Sequence, residues 1–127
     1  MVYMFLNGGG MRGGPVHHHI AGTPFLGEAR TAARYRFFAV GDDFPGLWPV
    51  AEGGGSIAGE LYDVPLEALR DNLLPDEPAE LELGVIELAD GAPSLAMLLR
   101  STEYDRGVHR DITAYGGWRA YRRSGKA

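Results

Sequence analysis

The stretch Asn7-Gly8-Gly9-Gly10-Met11-Arg12-Gly13-Gly14-Pro15-Val16-His17-His18-His19 follows directly on the apolar run Val2 to Leu6. Five of the seven positions from 8 to 14 are glycine. Glycine has no side chain to bury and loses the most backbone entropy on ordering, so such a run is not there for packing. It offers positive φ and close approach of backbone N–H groups to a ligand. A buried strand that enters this loop, with Arg12 inside it, reads as a backbone nest for a small anion such as a carboxylate. The candidate binding residues are Asn7, Gly8, Gly9, Gly10, Met11, Arg12 and Gly13.

The same stretch decides between fold classes. Gly8, Gly10 and Gly13 formally satisfy G-x-G-x-x-G, and Glu28 stands near the place of an acidic ribose ligand. A dinucleotide fold, however, needs a long crossover helix and a second parallel strand. Here Pro15 opens only a short helical turn, Val16 to Ala21, and the chain continues as Phe25 to Ala32 and Tyr35 to Val40, both strand-like. No Gly-Lys-Ser/Thr follows, which excludes a P-loop.

Further along, Gly41 to Gly46 is a turn cluster, Leu47 to Ala51 a short strand, and Ile57 to Val64 a loosely alternating strand. Pro65 to Leu74 has leucines at 66, 69 and 73, the spacing of a helix. Leu81 to Leu88 and Ser94 to Arg100 form a hairpin around Asp90-Gly91. Asp111 is placed to cap a last helix from Ile112 to Arg123, weakened by Gly116-Gly117. Six or seven short strands with two or three helices, out of βα alternation, give an α+β domain with a mixed, barrel-like sheet and short flanking helices. One such domain accounts for residues 1–127.

The 127 residues carry a net charge of -5, which argues against a nucleic-acid footprint. No apolar run is long enough to span a bilayer. There is no cysteine, so disulfide and thiolate chemistry are excluded, and the composition fits a cytoplasmic protein. His17, His18 and His19 are adjacent on one turn and point in different directions, so no metal site and no cofactor is expected. The acidic cluster Asp76, Glu77, Glu80 and Glu82 borders an apolar strand, where burial would raise a carboxyl pKa toward that of a working base.

Asp111-Ile112-Thr113-Ala114-Tyr115-Gly116-Gly117-Trp118-Arg119-Ala120-Tyr121 closely resembles the end of the allophanate hydrolase C-terminal domain. Gly8 to His19 and Leu83-Gly84-Val85-Ile86-Glu87-Leu88-Ala89-Asp90-Gly91 are similar to that domain too. Gly59-Glu60-Leu61-Tyr62 and the leucine-rich segment after it resemble the wider γ-glutamylcyclotransferase-like group. The resemblance implies a small mixed β-barrel flanked by helices, in which the loop after the first strand holds a substrate carboxylate and a glutamate acts as acid and base. By position Glu77 matches that glutamate best, with Glu80 second, and His18 matches a histidine that follows the first loop. The cyclotransferases carry a Tyr-Gly-Ser-Leu type of loop where this chain has Asn7-Gly8-Gly9-Gly10-Met11. The chain has neither the length nor the Ser-Ser-Lys machinery of an amidase.

The expected function is therefore a stand-alone enzyme acting on a small carboxylated amide or urea-type substrate. The alternatives are a γ-glutamylcyclotransferase and a non-catalytic binding or assembly subunit for a separately encoded amidase. A homodimer is left open.

Overall fold

The structure, a computed structural model, describes residues 2–125. Eight strands form one mixed sheet: β1 (Val2–Leu6), β2 (Phe25–Arg30), β3 (Tyr35–Val40), β4 (Phe44–Pro49), β5 (Ala58–Val64), β6 (Leu81–Glu87), β7 (Pro93–Leu99) and β8 (Arg110–Asp111). The spatial order is β2-β5-β1-β7-β4-β3-β8, with β6 paired to β7 beside this path. β7 runs parallel to β1 and to β4, and the remaining ladders are antiparallel. A bridge between Thr31 and Leu88 brings the end of β6 back to the end of β2, so the sheet curls into a half-barrel. The α+β, barrel-like expectation holds.

The inside of the curl is the core. Met4, Phe37, Leu47, Ile57, Val64, Leu73, Ala96 and Ile112 are fully buried there. Burial of this kind is worth roughly 1.5–3 kcal/mol per large aliphatic or aromatic side chain. Short helices close the ends: α1 (Ser101–Arg106) and α2 (Trp118–Arg123). Trp118 and Tyr121 anchor α2 in the core.

Local chemistry explains where the elements depart from expectation. β4 begins at Phe44, inside the expected turn cluster, because Pro45 and Gly46 pair with Ala39 and Phe38 of β3. The last helix does not start at Ile112. The Asp111 carboxylate accepts from the Thr113 N–H at 2.9 Å and holds only a single turn, Thr113–Tyr115. Gly116, at φ 75°, then breaks the chain before α2. The helix α1 was not anticipated; it ends on Gly107 in the left-handed conformation. The segment after Pro65 is helical but wide: across Ala68–Leu73 the turns open, and the Leu74 N–H reaches the Leu69 carbonyl five residues back. Leu69 and Leu73 are buried, whereas Leu66 is 55% exposed. A tighter turn, Leu74–Asp76, follows and delivers Glu77.

Among the described residues one charged group sits in this core with no exposed surface, Glu60 of β5. Its carboxylate accepts from the Arg12 N–H at 2.9 Å, the Arg12 Nε at 3.0 Å and the Tyr62 hydroxyl at 2.9 Å. Arg119 of α2 approaches the same carboxylate at 3.1 Å and also donates to the Arg12 carbonyl at 2.7 Å. Burial by itself pushes a carboxyl pKa up, but these donors outweigh it and hold Glu60 below the ordinary carboxylate range. The Tyr62 hydroxyl is pushed up to about 12 by burial and by its bond to Glu60. Three segments remote in sequence (the glycine loop, β5 and α2) thus meet on one carboxylate.

Gly59 makes this approach possible. A Cβ there would stand 2.5 Å from the Leu6 carbonyl oxygen and from the Phe5 ring. Replacing Glu60 by Gln leaves both guanidiniums facing an amide; the expected loss is about 2–4 kcal/mol, measured by urea unfolding. Amide exchange across residues 8–14 should accelerate in the same variant, because the loop loses its tether.

Candidate functional site

The glycine loop leaves β1 through Asn7 and lies against β4. A Cβ on Gly8 would sit 2.6 Å from Pro45 Cδ, and one on Gly14 would stand 2.1 Å from the Gly9 carbonyl oxygen. These two positions require glycine for space. The loop is held by bonds from the Met11 N–H to the Gly8 carbonyl, the Gly14 N–H to the Met11 carbonyl and the Val16 N–H to the Gly9 carbonyl, at 2.8–3.1 Å. His17 Nδ1 adds a bond to the Gly10 carbonyl at 2.9 Å. Among the described residues the N–H groups of Gly8, Gly9 and Gly10 have no partner.

Beside this loop lies a cavity of about 140 Å³. Asn7, Gly8, Gly9 and Gly10 form one wall, Phe44 and Pro45 of β4 another, and Glu77 and Pro78 a third. Phe5, Leu81 and Met97 make the remainder largely apolar. Asn7 is buried, and its Nδ2 has no hydrogen-bond partner within the protein. An unpaired buried amide costs on the order of 1–3 kcal/mol.

Glu77 is half-buried at the mouth of the turn Leu74–Asp76. Its carboxyl pKa is pushed up to about 7, chiefly by burial and further by the neighbouring Asp76 charge, with His19 opposing. At neutral pH such a group is divided between acid and base forms, the condition for general acid–base work. Asn7, three glycines with unpaired amides and a carboxyl whose pKa is raised by burial therefore line one small space.

The other expected site residues are placed differently. Arg12 turns away from the cavity: its guanidinium pairs with Glu60 and lies 4.1 Å over the Phe25 ring. The Met11 side chain is buried in the core. Met11, Arg12 and Gly13 border a separate hollow with Trp118 and Arg119. His18 is exposed and rests against His19, with ring centroids 4.1 Å apart, and it does not line the cavity. Its neighbours do have polar partners, His17 on the Gly10 carbonyl and His19 on Asp76 at 2.8 Å. Glu80 lies outside the cavity; its backbone carbonyl accepts from the Arg100 N–H at 3.0 Å.

Of the residues expected at a loop carboxylate site, Asn7, Gly8, Gly9, Gly10 and Glu77 line this cavity, and Met11, Arg12, Gly13, His18 and Glu80 do not. Two contributors escaped the sequence reading. Pro45 of β4 shapes the cavity wall, and Glu60 positions the loop; the only signal for Glu60 was an acidic residue between a glycine and a tyrosine in an apolar strand.

The family model for the allophanate hydrolase C-terminal domain matches residues 2–123. The chain is 31% identical over 121 residues to the urea amidolyase of Saccharomyces cerevisiae, covering 90% of this chain and 6% of that protein. It therefore spans a small fraction of the length of that relative. A crystal structure of a protein specific to uropathogenic E. coli superposes with a TM-score of 0.87 at 36% identity, covering 99% of this chain and 97% of that one. The allophanate hydrolase of Kluyveromyces lactis gives a TM-score of 0.86 at 26% identity, covering 98% of this chain and 21% of that one. At the level of fold alone, a mouse AIG2-like protein is similar, with a TM-score of 0.58 at 21% identity over 82% of this chain and 79% of that one. That likeness is one of fold alone. The chain belongs to the allophanate hydrolase C-terminal domain family.

Proposed function

We propose that the protein is a cytoplasmic enzyme acting on a small carboxylated amide or urea-type compound. The observation that carries this reading is Glu77, a carboxyl whose pKa is pushed up to about 7 by burial, lining the same cavity as Asn7, Gly8, Gly9 and Gly10. The amides would take a carbonyl or carboxylate oxygen of the substrate. They would stabilise charge that develops on that oxygen, because fixed backbone dipoles need no reorganisation. Glu77 would give a proton to, or take one from, the nitrogen next to that carbon. His17 holds the Gly10 carbonyl and so acts on the loop as a positioning residue.

Glu77→Gln keeps the shape and removes the proton, so turnover of N-carboxylated amides should fall at least 10²-fold, read as bicarbonate release by 13C NMR. His18→Ala and Glu80→Gln should stay within a few-fold of the parent, since neither lines the cavity. Release of 5-oxoproline from γ-glutamyl compounds would replace this reading with that of a cyclotransferase.

A second reading is favoured by the comparison with urea amidolyase and allophanate hydrolase, in which this domain is a small part of a longer chain. The protein would then serve as a partner of a separately encoded amidase. Recovery of such an amidase with the tagged chain from native cells, with no turnover by the chain alone, would support it.

Glu77 also sets a pH dependence of stability. Its folded pKa lies above the ordinary value of 4.5. The stabilisation it contributes is complete below about pH 4.5 and is lost as pH rises through about 7. Glu60, Glu103 and Asp111 are shifted the other way, so their stabilisation is lost only on acidification below the ordinary carboxylate range. Tm should therefore fall between pH 5 and pH 8.5 in the parent, and Glu77→Gln should flatten that fall.

A further inference from the structure

A hollow of about 410 Å³ opens between β2, β5 and α2, and it shares no lining residue with the cavity beside Glu77. Arg30 of β2 and Arg119 and Arg123 of α2 line it, and among the described residues Glu28 is its one carboxylate. Most other arginines are spent on acids: Arg34, Arg36, Arg70, Arg100 and Arg106 each meet a carboxylate within 3.5 Å. Arg110 and Arg122 lie over the rings of Tyr121 and Trp118. Among the described residues Arg30 and Arg123 meet no carboxylate, and Arg119 has to share Glu60 with Arg12. With Arg12 and Glu60 counted behind its wall, the hollow gathers four guanidiniums and two carboxylates. That is a local excess of positive charge in a chain of net charge -5.

Two of these guanidiniums are held in place by bonds that leave donors over. Arg30 donates through Nε to the Ser56 hydroxyl at 3.2 Å and through Nη2 to the Ser56 carbonyl at 2.7 Å, and its Nη1 has no partner among the described residues. Arg119 spends Nη2 on Glu60 and on the Arg12 carbonyl, which leaves Nε and Nη1. A guanidinium fixed on one edge and open on another takes an anion at little ordering cost. Gly116 keeps Arg30 uncovered, since even a Cβ there would stand 3.5 Å from Arg30 Nη2. Guanidinium forks match pairs of phosphate oxygens, and several forks around one hollow suit a tetrahedral dianion better than a linear dicarboxylate. We propose that this hollow is a second ligand site, for a small phosphate-bearing anion whose phosphate is held by Arg30, Arg119 and Arg123. Glu28 disfavours a second anionic group on that ligand and accepts from a hydroxyl.

The test is titration calorimetry of the whole chain at pH 8 and low salt, where screening is weak, with inorganic phosphate and glycerol 1-phosphate as probes. The parent should bind at least one of them saturably, at one site per chain. Tighter binding of glycerol 1-phosphate identifies a phosphate ester as the ligand, and equal or tighter binding of inorganic phosphate identifies the free ion. Arg30→Gln and Arg123→Gln should each weaken binding roughly tenfold, the loss of one charge-assisted contact. Arg123 has no partner among the described residues, so its replacement tests the site even if Arg30→Gln disturbs the chain at Ser56. The double variant Arg70→Gln/Arg106→Gln removes the same charge elsewhere and should leave the affinity unchanged. Absence of saturable binding of both probes overturns the proposal. So does an affinity unchanged in Arg30→Gln/Arg123→Gln, an equal loss in Arg70→Gln/Arg106→Gln, or succinate bound as tightly as the better phosphate probe.

Discussion

A carboxylate without any exposed surface is tolerable in a core only when every oxygen meets a donor, and Glu60 meets its donors from three directions. The Arg12 N–H and guanidinium come from the glycine loop, the hydroxyl from Tyr62 two residues along β5, and a second guanidinium from α2. The two arginines are about half exposed, so as isolated surface pairs each would count for little. Their weight comes from the buried partner, which would be left uncompensated without them. This requirement fixes the loop on the sheet, and everything at the cavity inherits its position from it. Gly59 belongs to the same constraint, because only a residue without a Cβ lets β5 come close enough to β1 for the loop to fold back onto Glu60.

The cavity and the Glu60 cluster lie on different sides of the glycine loop, and this separation has a chemical consequence. Cations and the buried anion satisfy one another on one side, where the polar groups are closed to further chemistry. On the other side the backbone amides stay open, and the acid that faces them is raised by burial rather than lowered by a guanidinium. Had Arg12 pointed into the cavity, it would have held Glu77 ionised and removed its capacity to donate a proton near neutrality. The arrangement thus keeps a titratable acid and uncharged N–H donors beside one small, largely apolar space.

Much of the strand content was legible in the sequence. The runs Val2–Leu6, Tyr35–Val40 and the hairpin around Asp90-Gly91 are short, apolar and bounded by turn chemistry, so local rules suffice for them. The helices were less legible. Ala68–Leu73 has helical leucine spacing, but Pro75 behind it removes a backbone donor and the turns widen, which no periodicity count shows. Helix α1 is short and mostly polar, and its Tyr104 packs on Trp48 of β4 with ring centroids 4.2 Å apart. That stacking partner is more than 50 residues away and leaves no local mark. At the site, Asn7, the glycines and Glu77 were visible as a composition anomaly and as an acid beside an apolar strand. Arg12 and His18 do not line the cavity, because a side chain's direction depends on what the rest of the fold offers it.

By itself the sequence determined the fold class, the position of the loop after the first strand and the small set of acids to which the one lining the cavity belongs. These follow from turn chemistry, apolar alternation and the freedom of glycine, which act over a few residues. Only the tertiary structure decided which donors remain open, which acid is buried and where each cation is spent. Hydrogen-bond satisfaction and desolvation are properties of groups brought together from distant parts of the chain, and Glu60 and Glu77 acquire opposite proton affinities only once those neighbours are in place.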